Sequence, residues 1–356
     1  MNETSKILSN TCNQIFSDFV TPAVLEDAEN GKWPQKLWVN LKENGLTSPF
    51  VGEENGMPSL TWQEVFTIFY HAGYYCVPIP LVENVIASWV LSQLDEVLPR
   101  GLITLPDGDE ILKIHGSKNN KKVSGSIKSV PWGSCASYLL AIGEYKNIKK
   151  FILLDVSNSL KKTDVNIAGE SRDTIELDNI VPESIFDIPE DIGDQVIKLL
   201  PALAYSAKIS GAIFSALDLS VDYVGTRVQF GRPLSKFQAI QQQLAILASE
   251  AAAAQTAAVN ACKAVDNTDN LNDIELGYPN VFTSGMGGFK VEQTTICDGL
   301  EELANSGWPA DGCYAVSYKY DKGVVSAEPG TYTNNQDNYF KGSTYSTPKV
   351  MYGEVQ

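Results

Sequence analysis

The sequence is short of several residue types. It has two histidines, four arginines and six cysteines in 356 residues. No CxxC spacing occurs, so no metal site is expected, and six Cys are too sparse for a disulfide scaffold. Cys297 and Cys313 would pair only in an oxidising compartment. Basic side chains are outnumbered: 27 Lys and Arg stand against 43 Asp and Glu, a formal net charge of −16. That balance speaks against sequence-independent nucleic-acid binding, which needs phosphate neutralisation. No uninterrupted apolar run reaches the roughly 18 residues of a membrane span. Residues 1–6 lack the apolar core of a signal peptide, so a cytoplasmic location is expected. Gly-rich phosphate loops of the GxGxxG or GxxxxGK kind are missing, as are repeats of solenoid length.

What is present describes a folded chain. Hydrophobic residues make up 44% and charged residues 20%, and the length allows two or three domains. Residues 1–100 read as a helical domain. Thr61 and Glu64 have capping-box spacing, and Val65, Ile68, Phe69 and Ala72 follow at i, i+3, i+4 and i+7. Pro78 and Pro80 stop that helix, and another apolar helix covers residues 81–94. His71 sits among Tyr70, Tyr74 and Tyr75, where packing is the expected role.

Residues 101–190 change period. Short runs rich in Ile, Val and Leu at 102–105, 122–127, 138–142 and 151–156 alternate with turn signals, as in a small antiparallel sheet or barrel. The Lys/Asn run at 118–122 reads as a hairpin tip, and His115 as an exposed residue after a strand. Residues 191–276 return to helix. From 199 to 226 the only charges are Lys208, Asp218 and Asp222, so this helix is buried on more than one side. The next one follows Pro233, with Ser235 as N-cap, and carries eleven Ala between 239 and 264. Such small residues suit a bundle core or a subunit interface.

Residues 277–356 form a divergent tail. They hold 11 of the 27 Gly and 8 of the 15 Tyr but two Leu and no Arg. Helical periodicity is confined to residues 297–305, where Glu301 and Glu302 read as a structural helix face. Residues 314–320 alternate like a strand before a turn at 321–323. The tail is expected to be irregular or β-leaning and poorly packed. The fold class is therefore α+β, mainly α: a helical domain, a middle antiparallel β-domain and a helical bundle, followed by that tail.

The segment richest in chemistry is Tyr223-Val224-Gly225-Thr226-Arg227-Val228-Gln229-Phe230-Gly231-Arg232-Pro233, followed by Phe237-Gln238-Ala239-Ile240. Arg227 offers a planar fork suited to phosphate, Phe230 an aromatic face, and Gln238 an amide that can read a heteroaromatic edge. Together they could grip a dinucleotide. The alternative is that the arginines bridge acidic neighbours and the glutamines are solvated.

This segment resembles the signature R-x-x-F-G-[RK]-P followed by Q-A-I of the FAD-dependent acyl-CoA dehydrogenases. Weaker matches run in the same order over residues 1–266: Leu37-Trp38 through Gly45-Leu46, Glu53-Glu54-x-Gly56, Gly73, Pro78-Ile79-Pro80-Leu81-x-Glu83, Val123-Ser124-Gly125, Lys128-Ser129-Val130-Pro131, Ala136 to Leu140, and Leu177-Asp178-Asn179. The resemblance implies an FAD between the β-domain and the C-terminal helices. It implies that Arg227 binds the pyrophosphate of a neighbouring subunit's FAD, that Phe230 packs by the adenosine, and that Gln238 holds the adenine-ribose side. Trp132 would lie where the β-domain faces the flavin. The implied reaction is α,β-dehydrogenation of an acyl-CoA thioester with hydride transfer to FAD, and electron-transfer flavoprotein is an implied partner.

Departures from the family qualify that expectation. The T-E-P-x-A-G-S-D stretch is absent after Leu105-Pro106-Asp107. No Y-E-G-T sequence supplies a base near the C-terminus, and the alternative base position on the helix before Arg227 reads Leu199-Leu200-Pro201-Ala202-Leu203. The run Gly287-Gly288-Phe289 only echoes the family's penultimate region, so the family's final helices are missing and the bundle is incomplete. The catalytic residue stays unknown. The expectation is a flavoprotein subunit without its own base, working as a homo- or hetero-oligomer. The alternatives are a complete dehydrogenase using a carboxylate not identified in the sequence, and a non-enzymatic assembly or interaction protein that keeps the helical scaffold.

Overall fold

The computed structural model describes residues 2–52, 59–107, 110–117, 120–166, 168–268 and 270–271, and the strands at 294–296, 314–321 and 324–329. Five helices come first: α1 (Glu3–Phe19), α2 (Pro22–Glu29), α3 (Gln35–Glu43), α4 (Trp62–Tyr74) and α5 (Leu81–Gln93). Their starts follow from capping chemistry. Asn2 accepts from the Ser5 N–H at 2.8 Å, and Thr21 caps α2 with Pro22 at its first position. Thr61 and Glu64 cap α4 reciprocally, as their spacing implies. Asn2 also donates to Glu64 at 2.9 Å, which ties α1 to α4.

Eight strands follow: β1 (Ile103–Thr104), β2 (Leu112–Ser117), β3 (Asn120–Pro131), β4 (Tyr138–Tyr145), β5 (Ile148–Asp155), β6 (Leu160–Lys162), β7 (Arg172–Ile180) and β8 (Ser184–Asp187). They form one sheet in the order β6-β7-β3-β2-β4-β5-β8, with β1 also on β4. The β2–β3 hairpin has Ser117 opposite Asn120, so the Lys/Asn run does sit at a hairpin. His115 lies within β2 rather than after a strand, with its Nε2 3.1 Å from Asn179 Oδ1.

The expectation of a wholly antiparallel sheet needs correction at β4. This strand pairs in parallel with β1 at Ile103–Tyr138 and with β2 at Leu112–Gly143. The cause is the chain's path. After β3 runs back along β2, the turn at 132–137 reverses it again, and β4 takes the free edge of β2 in the same direction. No helical crossover is involved, and every other pairing in this sheet is antiparallel.

Two long helices then leave the β-domain: α6 (Val196–Thr226) and, after a hairpin of β9 (Val228–Gln229) and β10 (Arg232–Pro233), α7 (Gln238–Asp266). Ser235 does not cap α7. Residues 234–236 form a 3-10 turn closed by Phe237 N–H to Leu234 at 3.0 Å, and Phe237 takes the N-cap position without a side-chain bond. By length and composition α6 could cross a membrane, but 61% of its most apolar stretch is buried inside the protein. It packs on α4, α5 and α7 as a core helix.

The principal core joins Phe16, Leu41, Ile68, Val85 and Leu91 to Leu200, Leu203 and Ala207 of α6, and to Leu140 and Phe151 of the sheet. A second core, including Val123, Ile127, Leu139, Ile152 and Ile175, lies within the β-domain. The Ala-rich pattern of α7 resolves into a buried stripe of Ala251, Ala254, Ala258 and Ala261. The tail holds β11 (Thr294–Ile296), β12 (Tyr314–Asp321) and β13 (Val324–Pro329), an antiparallel sheet containing the strand expected at 314–320. The helix expected at 297–305, the 297/313 cysteines and the tail's expected poor packing lie outside the described residues.

Candidate functional site

The arginine motif caps and leaves α6. Arg227 is the C-cap, and the next six residues make a two-strand hairpin with Val228 opposite Pro233 and Gln229 opposite Arg232. Its two central residues, Phe230 and Gly231, have φ of 52° and 77°. That is the pattern of a type I′ turn, whose twist matches paired strands. Gly231 adopts it freely, whereas Phe230 does so at a cost of about 1–2 kcal/mol. The Leu234 N–H closes the hairpin onto the Arg227 carbonyl at 2.9 Å.

Three of the four expected site residues come together here. Phe230 is 90% exposed, and Arg227 and Gln238 are also exposed. The guanidinium of Arg227 and the amide of Gln238 have no hydrogen-bond or ion-pair partner among the described residues. Both can therefore meet an anionic or heteroaromatic ligand without first breaking an internal bond. Among the described residues Arg232 bridges no acidic neighbour; its guanidinium lies 4.1 Å from the ring centroid of Phe237.

Trp132 lies elsewhere. It is 7% exposed and meets Trp33 edge-on with centroids 5.5 Å apart, so its ring is spent in packing. Its turn is pinned by the buried Asp173, which accepts from both the N–H and the Oγ of Ser134 at 2.6 Å. The reach of α6 separates the arginine hairpin from this region. Lys208 is paired with Glu170 of the β-domain at 3.6 Å, and the nineteen residues from Lys208 to Arg227 rise about 28 Å. The hairpin thus stands at the far tip of a two-helix arm.

At the base of that arm lies a polar cluster with no counterpart in the sequence reading. Glu83 on α5 is 5% exposed and accepts the hydroxyl of Tyr205 on α6. Arg172 on β7 pairs with Glu170 at 3.1 Å and Asp107 at 3.5 Å, and Lys208 reaches Glu170 from α6. Burial raises the Glu83 carboxyl above its ordinary range, against the Tyr205 hydrogen bond and the nearby Arg172 charge. Burial, with Glu83 alongside, pushes the Tyr205 hydroxyl up as well. The Lys208 charge holds Glu170 low despite its burial. These residues are scattered from 83 to 208. The signal available in sequence was a Glu inside the apolar run 81–94, with Tyr205 and Lys208 one turn apart on an apolar helix.

The first half of α6 carries no carboxylate from Val196 to Leu217. Its first, Asp218, accepts the Tyr74 hydroxyl at 2.7 Å. His71 is buried, with Nε2 2.9 Å from Ser9 Oγ and Nδ1 without a partner among the described residues. Burial lowers it to about 4, so it stays neutral and packs, as expected.

Similarity to known proteins follows the same division of the chain. Residues 202–276, which hold most of α6, the hairpin and α7, match the family model for the acyl-CoA dehydrogenase C-terminal domain. Acyl-CoA dehydrogenase IpdE2 of Mycobacterium tuberculosis is 40% identical over 120 residues, 34% of this chain and 32% of that protein. IpdE2 of Mycolicibacterium smegmatis is 24% identical over 258 residues, 72% of this chain and 75% of the relative. The match thus spans about a third of the first relative's length and three quarters of the second's. Among solved structures, the ChsE4-ChsE5 complex of Mycobacterium tuberculosis aligns with a TM-score of 0.65 at 19% identity, over 74% of this chain and 78% of the other. A glutaryl-CoA dehydrogenase from Mycobacterium smegmatis, in complex with FADH2, aligns with a TM-score of 0.66 at 14% identity, over 75% and 77%. At these identities the structural matches establish the fold.

Proposed function

Since the chain is related in sequence to the acyl-CoA dehydrogenases and shares their fold, we propose that it is a flavoprotein subunit of that kind. It acts on the CH–CH bond of an acyl-CoA thioester, shares FAD with a neighbouring subunit, and lacks its own catalytic base. The observation that carries this reading is the arm tip, where Arg227, Phe230 and Gln238 stand exposed, with Arg227 about 28 Å along α6 from Lys208, which pairs with Glu170 of the chain's own β-domain.

The donor set fits FAD. A guanidinium fork matches a pyrophosphate, an aromatic face matches the adenosine, and an amide matches the adenine-ribose side. When bound, the flavin supplies the hydride acceptor. Arg227, Phe230 and Gln238 hold the dinucleotide end of an FAD lodged against a partner's β-domain, because the arm carries them away from their own. Trp132 stays in the packing behind the β-domain surface. The partner is a second copy or another acyl-CoA dehydrogenase-like subunit; the heteromeric ChsE4-ChsE5 relative supports the latter. Electron-transfer flavoprotein is the proposed electron acceptor and the cytoplasm the proposed location.

A missing base agrees with the carboxylate-free stretch from Val196 to Leu217. Glu83 does not replace it, because it is sealed and already accepts Tyr205. The same lack of a base suits the second reading, a non-enzymatic assembly protein on this scaffold. Flavin absorbance of the purified full chain separates the two. A yellow protein with bound FAD is expected, and a colourless chain that still binds a dehydrogenase subunit selects the assembly role.

A further inference from the structure

We propose that Phe237 is the positioning residue of the arm tip, fixing the hairpin that carries Arg227 and Phe230 to the helix that carries Gln238. The inference rests on the FAD reading above and concerns a residue that does not itself reach the ligand. The three proposed ligand-facing side chains sit on two elements. Arg227 and Phe230 belong to the end of α6 and the hairpin, whereas Gln238 opens α7.

Phe237 is the joint between them. Its N–H donates to the Leu234 carbonyl at 3.0 Å, and its carbonyl accepts the Gln241 N–H at 3.1 Å, so its backbone belongs to the 3-10 turn and to α7 together. Its ring takes two hairpin side chains at once. The Arg232 guanidinium lies 4.1 Å from the ring centroid, and the Phe230 ring meets it edge-on at 6.2 Å and 76°. Both arrangements are attractive in their own right.

The tip has little else to hold it. Each hairpin strand is two residues long, Phe230 is in the left-handed region, and a Cβ on Gly231 would find no atom within 4 Å. A strained, exposed turn keeps one geometry only if its surroundings over-determine it. Among the described residues those surroundings are the Phe237 ring, the Leu234–Arg227 hydrogen bond and the Gln241 amide, which donates to the Ser235 carbonyl at 2.8 Å. Phe237 thereby preorganises the spacing between guanidinium and amide, which lowers the ordering cost of binding a dinucleotide.

The test uses the full chain and free FAD, followed by fluorescence titration, with amide exchange at Leu234 as a second readout. Phe237→Leu keeps apolar volume but loses both ring contacts; it is expected to weaken FAD binding about tenfold and speed Leu234 exchange at an unchanged melting temperature. Phe237→Trp, a better cation–π partner, is expected to return affinity to within about threefold of wild type. Arg232→Met, which spares the ring, covers the case in which Phe237→Leu fails to fold; about threefold weaker binding is expected. Wild-type affinity and exchange in the folded variants overturn the proposal while leaving the FAD reading intact. A wild-type chain that binds no FAD, either as a homo-oligomer or with an acyl-CoA dehydrogenase-like partner subunit added, overturns both.

Discussion

Gly73 on α4 and Gly211 on α6 form a reciprocal crossing. A Cβ on Gly211 would lie 1.9 Å from the Tyr70 carbonyl oxygen, and one on Gly73 would lie 1.7 Å from that of Lys208. The two helices therefore meet backbone to backbone, and this contact holds the base of α6, with Tyr205 and Lys208, against the N-terminal domain.

The first prediction follows from that geometry. Gly211→Ala cannot relax by moving a flexible side chain, because the obstructing atom is backbone. It should cost about 3 kcal/mol, the upper end of overpacking effects. Gly225, also on α6, has no atom within 4 Å of its missing Cβ, so Gly225→Ala should stabilise by about 0.5 kcal/mol through helix propensity alone. Urea unfolding of both variants checks the pair; equal effects at the two glycines refute the crossing argument.

His71 gives a pH prediction. Its native value is about 4 against 6.5 for the free side chain, because burial disfavours the charged ring. Between pH 6.5 and 4 the unfolded chain therefore holds more protons at this position than the native one. The stability contributed by the neutral, buried ring is fully present above pH 6.5 and falls as pH drops toward 4, by up to about 3 kcal/mol. Urea midpoints at pH 7 and pH 4.5 measure it. His71→Phe should show a shallower loss over this window than wild type, and an equal slope contradicts the assignment.

The Glu83–Tyr205 pair supplies a third. Tyr205→Phe removes the hydroxyl donor from a buried carboxylate and should cost about 1–3 kcal/mol. Glu83→Gln removes the charge that needed compensation and should cost less, since an uncompensated buried charge is the worse defect. Unfolding free energies of the two variants, measured under the same conditions, check the order. A larger loss in Glu83→Gln than in Tyr205→Phe defeats the buried-charge account.

How much of this was legible beforehand depended on distance along the chain. The Thr61–Glu64 box, the α6–α7 pair and the arginine motif are local patterns, and each appears where its period or spacing implies. The long-range partners were invisible. Asp266, at the end of α7, accepts from the Trp62 and Gln63 N–H groups of α4 at 2.7 and 2.9 Å, a contact across 204 positions. The parallel placement of β4 depended on which edge of β2 was free. The cluster around Glu83 required four separate parts of the chain to meet, at 83, 107, 170–172 and 205–208. Ser235 fits the residue preference of an N-cap, whereas the 3-10 turn at 234–236 delays α7 to Gln238.

The last prediction concerns cofactor and catalysis together. Arg227 ends a helix with few charges, is exposed, and has no ionic partner among the described residues. Its bidentate fork suits a pyrophosphate, so Arg227→Ala should weaken FAD binding by about 1.5–3 kcal/mol, the range for a hydrogen bond to a charged group. Arg227→Lys should recover only part, because a point charge cannot reproduce the fork. Folding should be unaffected in both, since the side chain contributes no contact to the core. The isolated chain should also dehydrogenate acyl-CoA very slowly or not at all. No carboxylate lies between Val196 and Leu217, and a positioned base contributes about 10²–10⁴-fold. Turnover with several acyl-CoA chain lengths and an artificial electron acceptor measures this. Rapid turnover by the isolated chain removes the missing-base argument, whereas unchanged FAD affinity in Arg227→Ala removes the cofactor assignment independently.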